Sequence, residues 1–260
     1  MTDDFVAVVD GSTSKSPTRI DPEVSDGRLC MTIVADFIER MPAGIGMHDF
    51  CRGVTAAVYN IYVSRARDTA RLLMNPTHRM AASCAVYSRQ RQEVWMVGDC
   101  QCIVAGRCYD NPKPYEQRVA DIRAAHIHRL FDEARATGIP IDELTHDLMT
   151  TDSGREAAIG ELISACAYQN VTFAVIDGYT MPLHCVKVIS TKAEPRTTTQ
   201  EIVLATDGYP VLCPSLQESE EALARQLTED PLCIGAFRAT KGLMHGRRSF
   251  DDRSYIRFVP

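Results

Sequence analysis

Residues 5–9, Phe-Val-Ala-Val-Val, form a short β-branched run with no polar interruption, which predicts a strand. The run stops at Asp10-Gly11, and the Ser-, Thr-, Pro- and Asp-rich stretch 12–26 predicts a loop. From Gly27 the period changes: Leu29, Ile33, Phe37 and Ile38 recur at helical spacing. A second amphipathic helix is predicted over 48–74, with Phe50, Val54, Val58, Ile61 and Tyr62 on one face.

The next part reads as strands. Ala82–Tyr87, a polar hairpin at 88–92, Val94–Val97, Cys102–Ala105 and a Gly106-Arg107 turn predict an antiparallel meander with tight connections. Residues 114–136 and 140–167 have helical composition, broken by Thr-Thr-Asp-Ser-Gly-Arg. Strands are predicted again at Thr172–Ile176, His184–Ile189 and Glu201–Ala205, a helix at 217–228, and a strand in Arg-Ser-Tyr-Ile-Arg-Phe. No repeat of fixed period and no Gly/Ser linker divides the chain, so the pattern predicts one α+β domain over 1–260.

Composition narrows the function classes. Of 260 residues, 45% are hydrophobic and 24% charged, enough apolar surface for a sizeable core. The net charge of −6 argues against nucleic acid as a partner and suits metal cations better. No apolar stretch approaches a membrane span, and Met-Thr-Asp-Asp lacks the basic and apolar regions of a secretory signal. Ten cysteines, mostly in apolar runs, then predict buried reduced thiols in a cytoplasmic protein. Cys100, Cys102 and Cys108 have no CxxC spacing and no nearby His, unlike a zinc site. No motif sets an oligomeric state.

The candidate chemistry lies in aspartates at the ends of apolar runs: Asp10 in VVDG, Asp99 in MVGDC, Asp207 in LATDG and Asp251 in SFDDRSYIRF. A strand end is a rigid platform, and several carboxylates converging from such ends would repel one another unless a divalent cation sat between them. Asp-Gly is also a common turn dipeptide. Asp177-Gly178 has that reading, because a connection is needed between TFAVI and PLHCVKVI. No G-x-S-x-G elbow and no G-x-x-x-x-G-K-[ST] phosphate loop offers another mechanism.

In the order FVAVVDG, MAASCAVYS, VWMVGDCQCIVAG, EIVLATDGYP and DDRSYIRF, the chain resembles the type-2C, metal-dependent serine/threonine protein phosphatases. The resemblance spans nearly the whole sequence. It implies a four-layer α-β-β-α sandwich with two central antiparallel sheets flanked by helices. It also implies two Mg2+ or Mn2+ ions, bridged by Asp10, bound by the Gly11 carbonyl and completed by Asp207 and Asp251. Asp99 would match a further, weaker metal position. Asp252 stands where the family usually has Asn and is not counted as a ligand.

The implied chemistry is hydrolysis of a phosphomonoester by a metal-activated water, with no covalent enzyme intermediate. Lys15 or Arg28 could meet the phosphate; Lys15 is preferred because it follows Asp10-Gly11 on a short polar loop. The substrate expected is a phosphoserine or phosphothreonine protein, or else a small phosphomonoester. The alternative is an inactive, phosphatase-like binding or regulatory protein. Three departures bear on it. The family's acidic pair before the first Asp-Gly has no counterpart, which predicts a further strand upstream of residue 1. DGxGG is DGSTS here, and GDS is GDC. Residues 109–170, the segment least like the family, are expected to form a divergent helical insert.

Overall fold

The structure, a computed structural model, describes residues 1–192 and 201–260. The chain divides into two compact units, the first made of Met1–Lys113, Cys166–Asp207 and Arg253–Pro260, the second of Pro114–Ala165 and Gly208–Asp252.

The first unit carries both sheets. Its strands are β1 (Phe5–Gly11), β2 (Ala82–Ser88), β3 (Glu93–Val97), β4 (Gln101–Val104), β5 (Arg107–Tyr109), β6 (Lys187–Ser190), β7 (Ile202–Ala205) and β8 (Tyr255–Phe258). They form two four-stranded sheets, ordered β1-β2-β3-β6 and β5-β4-β7-β8, in which every neighbouring pair is antiparallel. The α+β class and the two antiparallel sheets expected from the sequence are thus present.

The unbroken apolar run of β1 is explained by burial on both faces. Val6 and Val8 point into the core between the sheets with Ala85, Tyr87, Val94 and Met96 of the same sheet and Cys102, Val104, Ile202 and Leu204 of the other. Phe5, Ala7 and Val9, with Cys84, Val86, Trp95 and Val97, point the opposite way, towards two helices. These are α1 (Asp26–Arg40) and α2 (Met47–Ser64), which bury Cys30, Val34 and Ile38, and Phe50, Val54, Val58 and Tyr62, at spacings of four. The Phe50 ring lies 5.5 Å from Trp95. Cutting such a fully buried ring to Ala costs about 3–5 kcal/mol.

Three local expectations are corrected. The helix predicted over 48–74 is two helices: α2 stops at Ser64, Ala66 takes a left-handed φ of 51°, and α3 (Thr69–Met74) restarts from an Asp68 N-cap. Thr172–Ile176 forms only isolated bridges, from Phe173 to Gln169 and from Ile176 to Ala82. The predicted meander is divided, since β3 belongs to one sheet and β4 to the other.

In the second unit, α4 (Glu116–Thr137), α5 (Ile141–Thr150), α6 (Ser153–Ala165) and α7 (Leu216–Glu229) are described. Ala124, Ile127, Leu148, Leu232 and Ile234 form a core there. Beside it Arg123, 1% exposed, pairs with Asp152 at 2.9 Å and donates to Leu232 O at 2.6 Å. Asp152 also accepts from Arg155 N, tying the start of α6 to the same ion pair. The polar lead-in to α7 is a capping box between Ser215 and Glu218. Among the described residues, no helix is long and apolar enough to cross a membrane.

Candidate functional site

Asp10 and Gly11 are the last two residues of β1, paired across the ladder with Ser83 and Ala82 of β2. The chain end here is held by a close backbone approach. A Cβ on Gly11 would lie 2.2 Å from Gly27 O, and one on Gly27 would lie 2.5 Å from Ser12 O, so the start of α1 sits directly against the end of β1. Asp26, expected in a loop, is instead the first residue of α1, is 1% exposed and accepts from Ile20 N at 2.7 Å.

Asp99 occupies the passage from one sheet to the other. After β3 the chain turns at Gly98, whose φ is +79°, and a Cβ there would fall 2.1 Å from Ser83 Oγ. This turn presents Asp99 to Ser83, whose hydroxyl donates to Asp99 Oδ1 at 2.6 Å. Asp99 Oδ2 is ion-paired with Lys113, and both side chains are almost wholly buried. Ser83 is therefore the cross-strand partner of Asp10 and the hydrogen-bond partner of Asp99.

Asp207 follows β7 by two residues. The backbone at this end is fixed by Thr206 N donating to Ser254 O at 3.1 Å and Ser254 N donating to Thr206 Oγ1 at 2.9 Å. Oxygen atoms of Asp99 and Asp207 lie within 4.8 Å of each other. Cys100 reports the third carboxylate. Burial pushes its thiol well above the ordinary value, and the negative charges of Asp99, Asp10 and Asp207, together with Cys84, push it further. The charges of three of the four strand-end aspartates thus all act on one buried thiol. No sign of a nucleophilic thiol accompanies it, since every one of these influences favours the protonated form.

The fourth, Asp251, belongs to the second unit, where it pairs with Lys241 and accepts from Asp252 N at 2.9 Å. Lys15 folds back on its own loop, donating to Thr13 O at 2.7 Å and Ser12 Oγ at 3.2 Å. Arg28 is exposed on the first turn of α1.

Asp177 is a turn residue, as expected, with Gly178 at φ +87° and Tyr179 N donating to Asp177 Oδ1. It is also wholly buried, paired with Arg79 at 2.9 Å and accepting from Gln169 and Asn170 at 2.8 and 2.7 Å. Sequence reasoning missed this, along with Ser83 and Lys113. The position of Ser83 opposite Asp10 follows once the β1–β2 register is known; Lys113, in a Pro-Lys-Pro loop, carries no sequence signal.

The donor set at the strand ends is all carboxylate oxygen, which suits a hard divalent cation such as Mg2+ or Mn2+ rather than zinc or copper. The proximity of like charges is itself what such an ion relieves.

No family model matches the sequence, and no curated relative does. The chain is similar to solved structures at low identity. A bacterial serine phosphatase is 10% identical, with 96% of each chain covered and a TM-score of 0.40. A stage II sporulation E family protein from Thermanaerovibrio acidaminovorans is 13% identical over 98% of this chain and 95% of that one, with a TM-score of 0.39. The catalytic domain of the serine/threonine protein phosphatase PstP, solved in complex with two manganese ions, is 13% identical over 87% and 90%, with a TM-score of 0.37.

Proposed function

We propose that the protein is a metal-dependent phosphomonoester hydrolase acting on phosphoserine or phosphothreonine in proteins. The observation that carries this reading is the approach of strand-end carboxylates to one another: Asp99 and Asp207 oxygens lie within 4.8 Å, and Asp10 stands across the ladder from Ser83, whose hydroxyl donates to Asp99. The motif order in the sequence adds Asp251 as a further ligand and the Gly11 carbonyl beside Asp10. A bound pair of Mg2+ or Mn2+ ions would supply a water acidic enough to react near neutral pH and would offset phosphate charge.

The residues of the chain do the rest. Asp10 is held in register by the β1–β2 ladder and by the Gly11–Gly27 approach, so its carboxylate is set on a rigid backbone. Asp207 is fixed by the Thr206–Ser254 hydrogen bonds. Lys15 would leave its loop carbonyl to meet a substrate phosphate, with Arg28 as the other cation within the same stretch of sequence. Ten cysteines, seven of them buried, support a reducing, cytoplasmic setting.

Hydrolysis of an aryl phosphate with and without Mn2+ tests the reading, comparing the wild type with Asp207→Asn. Turnover that requires Mn2+ and falls at least 100-fold in the variant is expected. Absence of metal-dependent turnover in the folded wild type would move the protein to the phosphatase-like binding class. Turnover of small phosphate esters with none on phosphopeptides would move the substrate to a phosphorylated metabolite.

A further inference from the structure

We infer that Lys113 is a built-in counter-ion that fills the cation position at Asp99, so that Asp99 takes no metal ion of its own. The inference deepens the metal-dependent reading above and rests on it. Asp99 is satisfied on both oxygens by this chain, Oδ1 by the Ser83 hydroxyl at 2.6 Å and Oδ2 by the Lys113 ammonium. The two side chains are only 7% and 10% exposed, unlike a solvated pair such as Arg52–Asp49 at 82% and 61%.

Lys113 is delivered by an anchored segment. Asn111 Nδ2 donates to Gly98 O at 3.0 Å and to Cys185 O at 3.3 Å, and Lys187 Nζ donates to Asp110 O. The residue just before Asp99 and the residues just before Lys113 are therefore tied to each other, and the ammonium is held in place by more than its own ion pair. A divalent cation brought against Asp99 Oδ2 would meet a positive charge already in contact there, in a buried setting where repulsion is weakly screened. Sequence reasoning placed a third, weaker ion at Asp99; the geometry assigns that place to a side chain.

The test counts Mn2+ ions bound to the full chain by native mass spectrometry and calorimetry, with no activity readout. Lys113→Ala is expected to bind one ion more than the wild type, and Lys113→Ala with Asp99→Asn to return to the wild-type number. Asp99→Asn alone is expected to bind as many ions as the wild type, and this arm decides the matter if Lys113→Ala fails to fold. Equal, non-zero numbers in the wild type and Lys113→Ala overturn the inference and leave the hydrolase reading standing, as does one ion fewer in Asp99→Asn. No ion in the wild type and one in Lys113→Ala supports the inference and overturns the hydrolase reading. No ion in any of the proteins overturns both.

Discussion

The Ser83 hydroxyl donates to Asp99 Oδ1 across 2.6 Å, from a strand position whose cross-strand partner is Asp10. A hydrogen bond to a buried carboxylate contributes about 1.5–3 kcal/mol, and more is lost when the acceptor stays buried. Ser83→Ala is therefore expected to lower the unfolding free energy by an amount in that range, read as a lower urea midpoint with the slope unchanged. An unchanged midpoint would mean that the Ser83 hydroxyl does not help to hold Asp99.

The glycine beside Asp10 should respond very differently from an ordinary turn glycine. Gly11→Ala places a Cβ 2.2 Å from the Gly27 carbonyl oxygen, backbone against backbone, so α1 must shift. A loss of about 3 kcal/mol is expected, together with loss of Mn2+-dependent turnover. Gly106, at φ +74° with nothing within 4 Å of its Cβ position, supplies the control. Gly106→Ala should cost only about 1 kcal/mol and leave turnover intact.

Asp177 separates a surface turn from a buried hub. Burial pushes its carboxyl above the ordinary value, although the Arg79 guanidinium and the hydrogen bonds from Gln169 and Tyr179 oppose that. Truncating one member of a buried pair leaves the other charge uncompensated, at about 3–5 kcal/mol. Urea denaturation of Arg79→Ala should show a loss of that size. A loss below about 1 kcal/mol, the value for exposed pairs, would return Asp177 to the role of a plain turn.

The buried thiols predict an alkaline limit. Burial pushes Cys51 and Cys102 up to about 12, against about 8.5 for a thiol in an unfolded chain. The unfolded state therefore loses these protons first. The stability contributed by the neutral thiols is full below about pH 8.5 and is lost as pH rises towards 12, at about 1.4 kcal/mol per pH unit for each thiol. Urea unfolding between pH 9 and 10.5 should show this fall, and Cys51→Ala should reduce its slope by one proton. Equal slopes in the two proteins would refute the assignment.

How much of this was legible in the sequence depends on the range of the interaction. β1 declared itself because burial on both faces demands an unbroken apolar run, α1 and α2 because their buried faces repeat at helical spacing, and α7 by its helical composition and polar lead-in. The ends of Asp10 and Asp207 could be read for the same reason: an apolar strand stops and a carboxylate follows. The break at 65–68 could not, because Arg65, Ala66 and Arg67 are all good helix formers while the backbone turns at Ala66. Nor could the passage from one sheet to the other at Gly98, since a tight hairpin and a change of sheet share the same Gly-containing signature. Ser83 and Lys113 act on Asp99 from 16 and 14 residues away, and nothing local in their own stretches encodes that.

The division of β3 from β4 has a consequence for the order in which the chain can fold. Strands β1, β2 and β3 of the first sheet have been made by residue 97, but β7, which pairs with β4 in the middle of the second sheet, begins at Ile202, and β8 begins at Tyr255. A ribosome-bound chain that has just emerged through β3 would carry Val6, Val8, Tyr87, Val94 and Met96 on a face whose covering sheet cannot yet be assembled. Distant pairing of this kind slows folding and prolongs the exposure of apolar surface. Synthesis of this protein thus passes through a long interval in which a three-stranded partial sheet, still without β6 and sticky on one side, waits for its lid, and that interval is where chaperones would have the most to hold.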